Sequence, residues 1–166
     1  FHKLLTRAAQ VSDHAGFAVR KSASVAMGKL RGQGLCYYIE SILGDPAENA
    51  NIRFNEDETV TIFVGTQSNG QGHETVYAQF LADQTGIPAD QIAVVQGDSD
   101  LIASGGGTGG SRSVTVQNNA TLATVAKMTA TFRSYLASKM GVAEDQITFD
   151  DETFRAAGSN MTPSFL

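Results

Sequence analysis

The chain has 166 residues, 42% of them hydrophobic, and its 12 basic and 17 acidic side chains give a formal charge of −5. The hydrophobic content is sufficient for a buried core and excludes a disordered chain, while the acidic balance argues against general nucleic-acid binding, which depends on Lys and Arg meeting phosphates. The single cysteine excludes an internal disulfide and the zinc or iron–sulfur sites that need several cysteines.

The chain is predicted to begin with a helix. Residues 1–27 are mostly helix formers, and we expect one basic, amphipathic helix that ends near Gly28. His2 and His14 are expected on its surface.

Strands follow this helix. Residues 32–40 are aromatic and rich in β-formers, which predicts a strand that contains a buried, unreactive Cys36. Residues 51–54 and 59–64 alternate between apolar and polar side chains around an acidic turn, and this pattern predicts a hairpin.

Two glycine-rich loops come next, each followed by a predicted helix. The first glycine loop, residues 65–72, leads into a helix from about His73 to Thr85, and a strand at Ile92–Val95 follows. The second glycine loop is residues 105–110.

A long helix is expected from about Arg112 to Met140, with a last strand at Ile147–Phe149.

An internal repeat links the two halves. Residues 81–92 and 136–147 share the pattern Leu-Ala-x3-Gly-(Ile/Val)-x2-Asp-Gln-Ile, which predicts a helix end, a glycine stop, a short turn and a strand in each copy. Either a duplication or common turn chemistry explains the match. We therefore expect an α+β fold of mixed β-sheets with helices packed on one face, built as two related subdomains, residues 1–97 and 98–166.

Both glycine loops lie between a strand and a helix N-terminus, where unpaired backbone N–H groups and the positive end of the helix dipole attract anions. No Lys or Arg occurs between Arg53 and Arg112, so an anion bound there must be held mainly by backbone N–H groups, with Arg112 as the local cation. The pattern lacks the Gly-Lys-Ser/Thr of a P-loop and the third glycine of a dinucleotide fingerprint. The residues alone leave open a phosphate clamp or two purely structural turns.

Three ordered segments carry a resemblance to a known family. They are Gly70-Gln71-Gly72-His73-Glu74-Thr75, Gly97-Asp98-Ser99-Asp100 and Gly107-Thr108-Gly109-Gly110-Ser111-Arg112-Ser113. Together they resemble the molybdenum-cofactor-binding large subunit of the xanthine dehydrogenase / aldehyde oxidase / aerobic carbon monoxide dehydrogenase family. The resemblance covers essentially the whole chain and implies a central fragment of a larger molybdopterin-binding domain. It leans towards the bacterial carbon monoxide dehydrogenase-like branch without deciding the branch.

The resemblance also implies a cofactor and the residues that hold it. The cofactor is molybdopterin with molybdenum, in bacteria mostly the cytosine dinucleotide form, and both glycine loops contact it through backbone amides, a glutamine and hydroxyl groups. The residues implied by position are Gly70, Gln71, Gly72 and Thr75 near the first loop, and Gly109, Gly110, Ser111, Arg112 and Ser113 near the second.

The reaction implied by the resemblance is hydroxylation of an aldehyde or an N-heterocycle with water-derived oxygen, or the oxidation of carbon monoxide. Electrons leave through iron–sulfur clusters and FAD on partner subunits or domains. The family's catalytic glutamate lies in a Gly-x-Gly-Glu motif, which this chain lacks, so we expect neither a catalytic residue nor a metal ligand here and no activity from the isolated fragment.

The expected partners are the remainder of the large subunit, the iron–sulfur and flavin subunits or domains, and a small-molecule substrate, without nucleic acid. With no apolar run long enough to span a membrane and no visible signal peptide, a cytoplasmic location is predicted. The alternative function is a non-redox binding module for another phosphorylated ligand.

Two further positions have more than one interpretation. His73, at the start of a helix, could donate to a phosphate, or it could be a capping or solvated side chain. Asp98 and Asp100 could bind a hard cation, but capping of their own turn is favoured.

Overall fold

The structure, a computed structural model, describes residues 1–42 and 47–166. It contains two compact units, Phe1–Glu40 and Ser41–Leu166. Among the described residues, no helix is both long and apolar enough to cross a lipid bilayer.

The first unit is built on two helices, α1 (His2–Val11) and α2 (Phe17–Ala26), with a short 3-10 helix at His14–Gly16 between them. The predicted single helix over residues 1–27 is therefore wrong. The chain turns at Asp13, which has a φ of 45° and whose carboxylate accepts a hydrogen bond from the last N–H of the 3-10 helix at 3.2 Å. Aspartate tolerates this left-handed conformation better than most residues, and its side chain caps the new turn.

The predicted strand at residues 32–40 is also absent, and Cys36 is exposed rather than buried. Tyr37 and Tyr38 are 61% and 79% exposed. A strand needs a neighbour to satisfy its backbone groups, and the described part of this unit contains no other strand. Aromatic, β-rich composition is not sufficient without such a partner.

The second unit contains a three-stranded sheet in the order β1 (Ala50–Phe54), β2 (Val60–Val64), β3 (Ile92–Gln96). Strands β1 and β2 form the predicted antiparallel hairpin, with Phe54 opposite Val60. Strand β3 pairs parallel to β2. The central strand is the most buried, since Val60, Ile62 and Val64 are fully inaccessible.

Two helices pack on this sheet. Helix α3 (His73–Thr85) crosses from β2 to β3, which a parallel pair requires, and helix α4 (Ser113–Met140) contacts both β1 and α3. Both helices end as predicted at a left-handed glycine, Gly86 at φ 73° and Gly141 at φ 68°. One core cluster joins the sheet to both helices; its buried members include Val60, Ile62, Val64, Tyr77, Leu81, Val125 and Leu136.

A second, two-stranded sheet follows α4. Strand β4 (Ile147–Asp150) was expected, whereas β5 (Thr153–Ala156), which pairs with it antiparallel, was missed. The sheet is held by packed aromatic rings, among them Phe149 and Phe154 with centroids 4.7 Å apart.

The internal repeat is confirmed as local structure. Each copy is a helix end, a glycine stop, a 3-10 helix and a strand: Ala89–Gln91 leads into β3, and Glu144–Gln146 leads into β4. The α+β fold is likewise confirmed. The division into two subdomains at residue 97 stays a prediction.

Candidate functional site

The first glycine loop connects β2 to α3 and is shaped by its own side chains. Gly70 and Gly72 take φ values of 107° and 80°, and Gly72 is the N-cap residue that immediately precedes α3. The Ser68 hydroxyl accepts from the N–H of Gly70 at 3.2 Å, and the side-chain oxygen of Gln71 accepts from the N–H of Asn69. The loop therefore reaches the helix with a defined conformation.

The second glycine loop lies directly against the first. The N–H of Gly107 donates to the carbonyl of Gly65 at 3.3 Å, and the Thr108 hydroxyl both donates to the Gln67 carbonyl and accepts from the Gln67 N–H at 3.1 Å. A Cβ at Gly105 would overlap the backbone of Gly65, so glycine is required there by packing. The two loops therefore pack together and form one continuous surface.

Where the loops end, they surround a pocket of about 240 Å³, which we call the loop pocket. Its lining residues are Gln71, His73, Thr108, Gly109, Ser111, Ser113 and Val114. Helices α3 and α4 both begin at this pocket, and neither start has a side-chain cap among the described residues. Two helix N-termini with uncapped N–H groups favour an anion.

His73 adds an unusual feature to the loop pocket. The residue is only 3% exposed, its ring packs 5.1 Å from that of Tyr77, and its Nδ1 has no hydrogen-bond partner among the described residues. A buried polar atom without a partner is unfavourable by about 1–3 kcal/mol. Of the interpretations open from the sequence, the solvated side chain is therefore wrong.

A buried hydrogen-bond network lies behind the two loops. The Tyr77 hydroxyl lies 2.7 Å from the Thr66 hydroxyl, and the Gln117 side chain accepts from Thr66 and donates to the Asn49 carbonyl at 2.9 Å. Burial is the main cause that raises the pKa of Tyr77 above the usual value of a tyrosine. These contacts tie β2, α3 and α4 together beneath the site.

A second, open cavity of about 250 Å³ lies beside the loops. It includes Asp98, whose carboxylate accepts from the N–H groups of Asp100 at 2.9 Å and Leu101 at 3.3 Å, as expected for a turn cap. Among the described residues, no group of three or more His, Cys, Asp or Glu side chains is placed to hold a metal ion.

A sequence model of the molybdopterin cofactor-binding domain matches residues 7–165. The chain belongs to this family. The resemblance seen in the glycine-loop motifs is therefore confirmed.

Relatives of this molybdopterin cofactor-binding domain include two curated proteins. The carbon monoxide dehydrogenase large chain of Afipia carboxidovorans is 34% identical over 78% of this chain, and the nicotine 6-hydroxylase large subunit of Paenarthrobacter nicotinovorans is 30% identical over 91% of it. The chain spans 17% and 20% of their respective lengths.

A solved structure is also similar to this domain. The crystal structure of the Cu,Mo-CO dehydrogenase in its carbon monoxide reduced state is 39% identical, with a TM-score of 0.63 over 67% of this chain and 14% of the other. The fold of the cofactor-binding domain is thus shared, over the aligned part, with a Cu,Mo-CO dehydrogenase.

The loop pocket brings together four of the nine residues that the sequence suggested: Gln71, Gly109, Ser111 and Ser113. The other five lie outside the lining. Gly70 and Gly72 shape the first loop, Gly110 has a φ of 58°, Thr75 is exposed on the first turn of α3, and Arg112 is buried. Their assignment to the cofactor stays a prediction.

Arg112 lies against an acidic partner that the sequence gave no reason to expect. Its Nη2 is 3.7 Å from Oε2 of Glu48, whose side chain is fully buried. Sequence reasoning also missed Thr108 and Val114 as lining residues. Thr108 lies between glycines within the motif, but only the fold shows which way that segment turns.

Proposed function

We propose that this domain binds the phosphates of a molybdopterin dinucleotide in the loop pocket, as the cofactor-binding part of a larger molybdenum-dependent oxidoreductase. The observation that carries the proposal is the convergence of two helix N-termini, neither with a side-chain cap among the described residues, on one pocket that His73 also lines. These donors suit a diphosphate, because N–H groups at helix starts bind phosphate oxygens without a side-chain cation.

Gly109 supports the presence of a ligand at this place. Its φ is not among the positive values, and a Cβ added to it would meet nothing within 4 Å among the described atoms. Neither backbone conformation nor packing therefore requires glycine at this position of the pocket lining. The backbone at Gly109 is therefore open to close approach by a ligand.

The hydroxyls of Ser111 and Ser113 are further donors of the lining. When bound, the molybdenum cofactor supplies the redox centre of the reaction. This chain contributes binding and orientation: the N–H groups and hydroxyls of the pocket hold the phosphates, and the rigid loops fix the cofactor in place.

We further propose that the cofactor is the cytosine dinucleotide form and that the complete enzyme oxidises carbon monoxide or hydroxylates an aldehyde or N-heterocycle. The names of the relatives, a carbon monoxide dehydrogenase and a nicotine hydroxylase, support this range of substrates. Iron–sulfur clusters and FAD would lie on partner subunits or domains.

The test measures the cofactor in the complete protein that contains this chain. Metal analysis is expected to find molybdenum, and acid hydrolysis is expected to release an equal amount of cytidine monophosphate. A bound nucleotide without pterin and molybdenum would favour the non-redox module instead. A protein that contains no phosphorylated ligand after expression with molybdate would contradict both functions.

The substitution Gly109→Ala sharpens this test. A methyl group in the loop pocket should hinder close approach of the cofactor and increase its rate of release roughly tenfold, equivalent to about 1.4 kcal/mol. Gly34→Ala is the matched control, because a Cβ there also meets nothing within 4 Å and the residue lies in an exposed segment of the first unit. Equal retention by the two variants would argue against the pocket as the phosphate site.

A further inference from the structure

The carboxylate of Glu48 lies beneath the second glycine loop. Its Oε2 accepts from the N–H of Gly106 at 2.9 Å and is 3.7 Å from Nη2 of Arg112, while its Oε1 accepts from the N–H of Asn49 at 3.0 Å. One buried carboxylate therefore connects the beginning of the second loop to the residue that immediately precedes α4.

Glycines make room for this ion pair. A Cβ on Gly65 would overlap Oε1 of Glu48, and a Cβ on Gly106 would overlap the guanidinium of Arg112. These glycines are thus explained by the ion pair and the packing of the loops, unlike Gly109, whose Cβ position is open.

The burial of the Glu48–Arg112 pair explains why its geometry is well defined. The side chain of Glu48 is fully buried and that of Arg112 is 9% exposed, and a buried charge is tolerated only when it is paired or hydrogen-bonded. In this pair the guanidinium of Arg112 faces Glu48. The residues that line the loop pocket are uncharged, with His73 neutral.

From this geometry we propose that Glu48 is a positioning residue for the cofactor site. Through Gly106 and Arg112, it fixes the second loop so that Gly109, Ser111 and Ser113 line the pocket, without lining the pocket itself. The identity of the ligand rests on the proposed function, whereas the conformation of the loop does not.

The loop is tested in the cofactor-free complete protein by hydrogen exchange of the peptide that contains residues 104–113. Glu48→Ala removes both contacts and should accelerate exchange at Gly106 and Gly107 by about tenfold or more. Glu48→Gln keeps an acceptor for Gly106 and should show a smaller increase. Glu56→Gln makes the same chemical change at an exposed position of the β1–β2 turn and should leave exchange as in the wild type.

The salt dependence of molybdopterin release provides a second measurement. A loss of folding stability alone would not make release depend on salt. Glu48→Gln removes one buried negative charge beside the second loop, so that the site becomes more positive and release should become salt-dependent, rising about threefold or more between about 50 and 500 mM salt. The wild type and Glu56→Gln should show no such rise.

Wild-type exchange of the loop in both Glu48 variants, or salt-independent release in Glu48→Gln, would overturn the proposal. If Glu48→Ala does not fold, Glu48→Gln decides the question through both measurements. A wild-type protein without molybdopterin would instead refute the proposed function, and the exchange result would still decide whether Glu48 positions the loop.

Discussion

At the scale of single residues, the candidate site contains a buried histidine and a glycine in an open position. Among the described residues, Nδ1 of His73 has no hydrogen-bond partner and a Cβ on Gly109 would meet nothing within 4 Å. The sequence indicated both positions through the glycine-loop motifs. It could not indicate that the imidazole is buried, because the burial of His73 depends on Tyr77 one helical turn away and on the second loop.

His73→Phe should have opposite effects on stability and on cofactor retention. Phenylalanine keeps the ring that packs on Tyr77 but removes the unpartnered nitrogen, so the cofactor-free domain should be as stable as the wild type or more stable, by up to about 1 kcal/mol. Retention of the cofactor should fall roughly tenfold, since the pocket lining loses both ring nitrogens as hydrogen-bonding groups. Urea unfolding and molybdenum analysis check the two effects, and a destabilised domain with unchanged retention would show that the ring nitrogen serves only the fold.

Tyr77→Phe tests the network behind the loops. Loss of the hydroxyl that contacts Thr66 should lower the free energy of unfolding at pH 7 by about 1 kcal/mol. Burial raises the pKa of Tyr77 in the folded state, so the stability linked to its protonation is fully present below pH 10 and is lost as the pH rises through the raised folded-state pKa.

The wild type should therefore lose more stability than Tyr77→Phe above pH 10, and the difference between them should narrow. Urea unfolding between about pH 7 and 11 measures this change. Tyr135→Phe, at a residue 61% exposed, is the control that should follow the wild type at every pH. A constant difference between the wild type and Tyr77→Phe would show that the Tyr77 proton is not linked to folding.

At the scale of elements, patterns with their own stop signals were predicted well and patterns that need a distant partner were not. The hairpin, the two glycine-terminated helices and the strands that follow them carry alternation or a left-handed glycine in the sequence itself. The expected strand at residues 32–40 has the amino-acid composition of a strand, but the described part of its unit contains no second strand to pair with it. Strand β5 is short and is recognised mainly through its pairing with β4. The glycine stops therefore made the repeat predictable from its own residues. Whether residues 32–40 and 153–156 form strands depends on pairing with another strand.

The two glycine stops of the repeat make a matched pair of substitutions. Gly141→Ala places alanine at a φ of 68° with open space around the Cβ, which should lower the free energy of unfolding by about 1 kcal/mol. Gly86→Ala has the same backbone strain, and its Cβ also overlaps the side chain of Glu152 near the backbone, so a loss of about 2–3 kcal/mol is expected. Urea unfolding of both variants measures the difference, and equal losses would mean that Glu152 moves aside freely.

At the scale of the whole molecule, an acidic protein holds a site suited to an anion. The sequence predicted this combination, and the structure adds that none of the residues lining the loop pocket carries a formal charge with His73 neutral. It also adds Glu48, which lies 58 residues before Gly106 and could not be linked to the second loop without the fold.

This charge arrangement predicts an uncommon salt dependence. Binding of a phosphate to a basic site weakens as salt rises, because the attraction is screened. This chain of charge −5 should repel the anion over long range, and under the proposed function short-range N–H donors would hold it, so moderate salt should screen repulsion more than attraction. Calorimetric titration of the cofactor-free wild type with cytidine diphosphate should therefore show affinity that is constant or rises up to about threefold between about 20 and 200 mM salt. A steep fall in affinity over that range would mean that a cation, with Arg112 the first candidate, contacts the phosphate directly in the bound state.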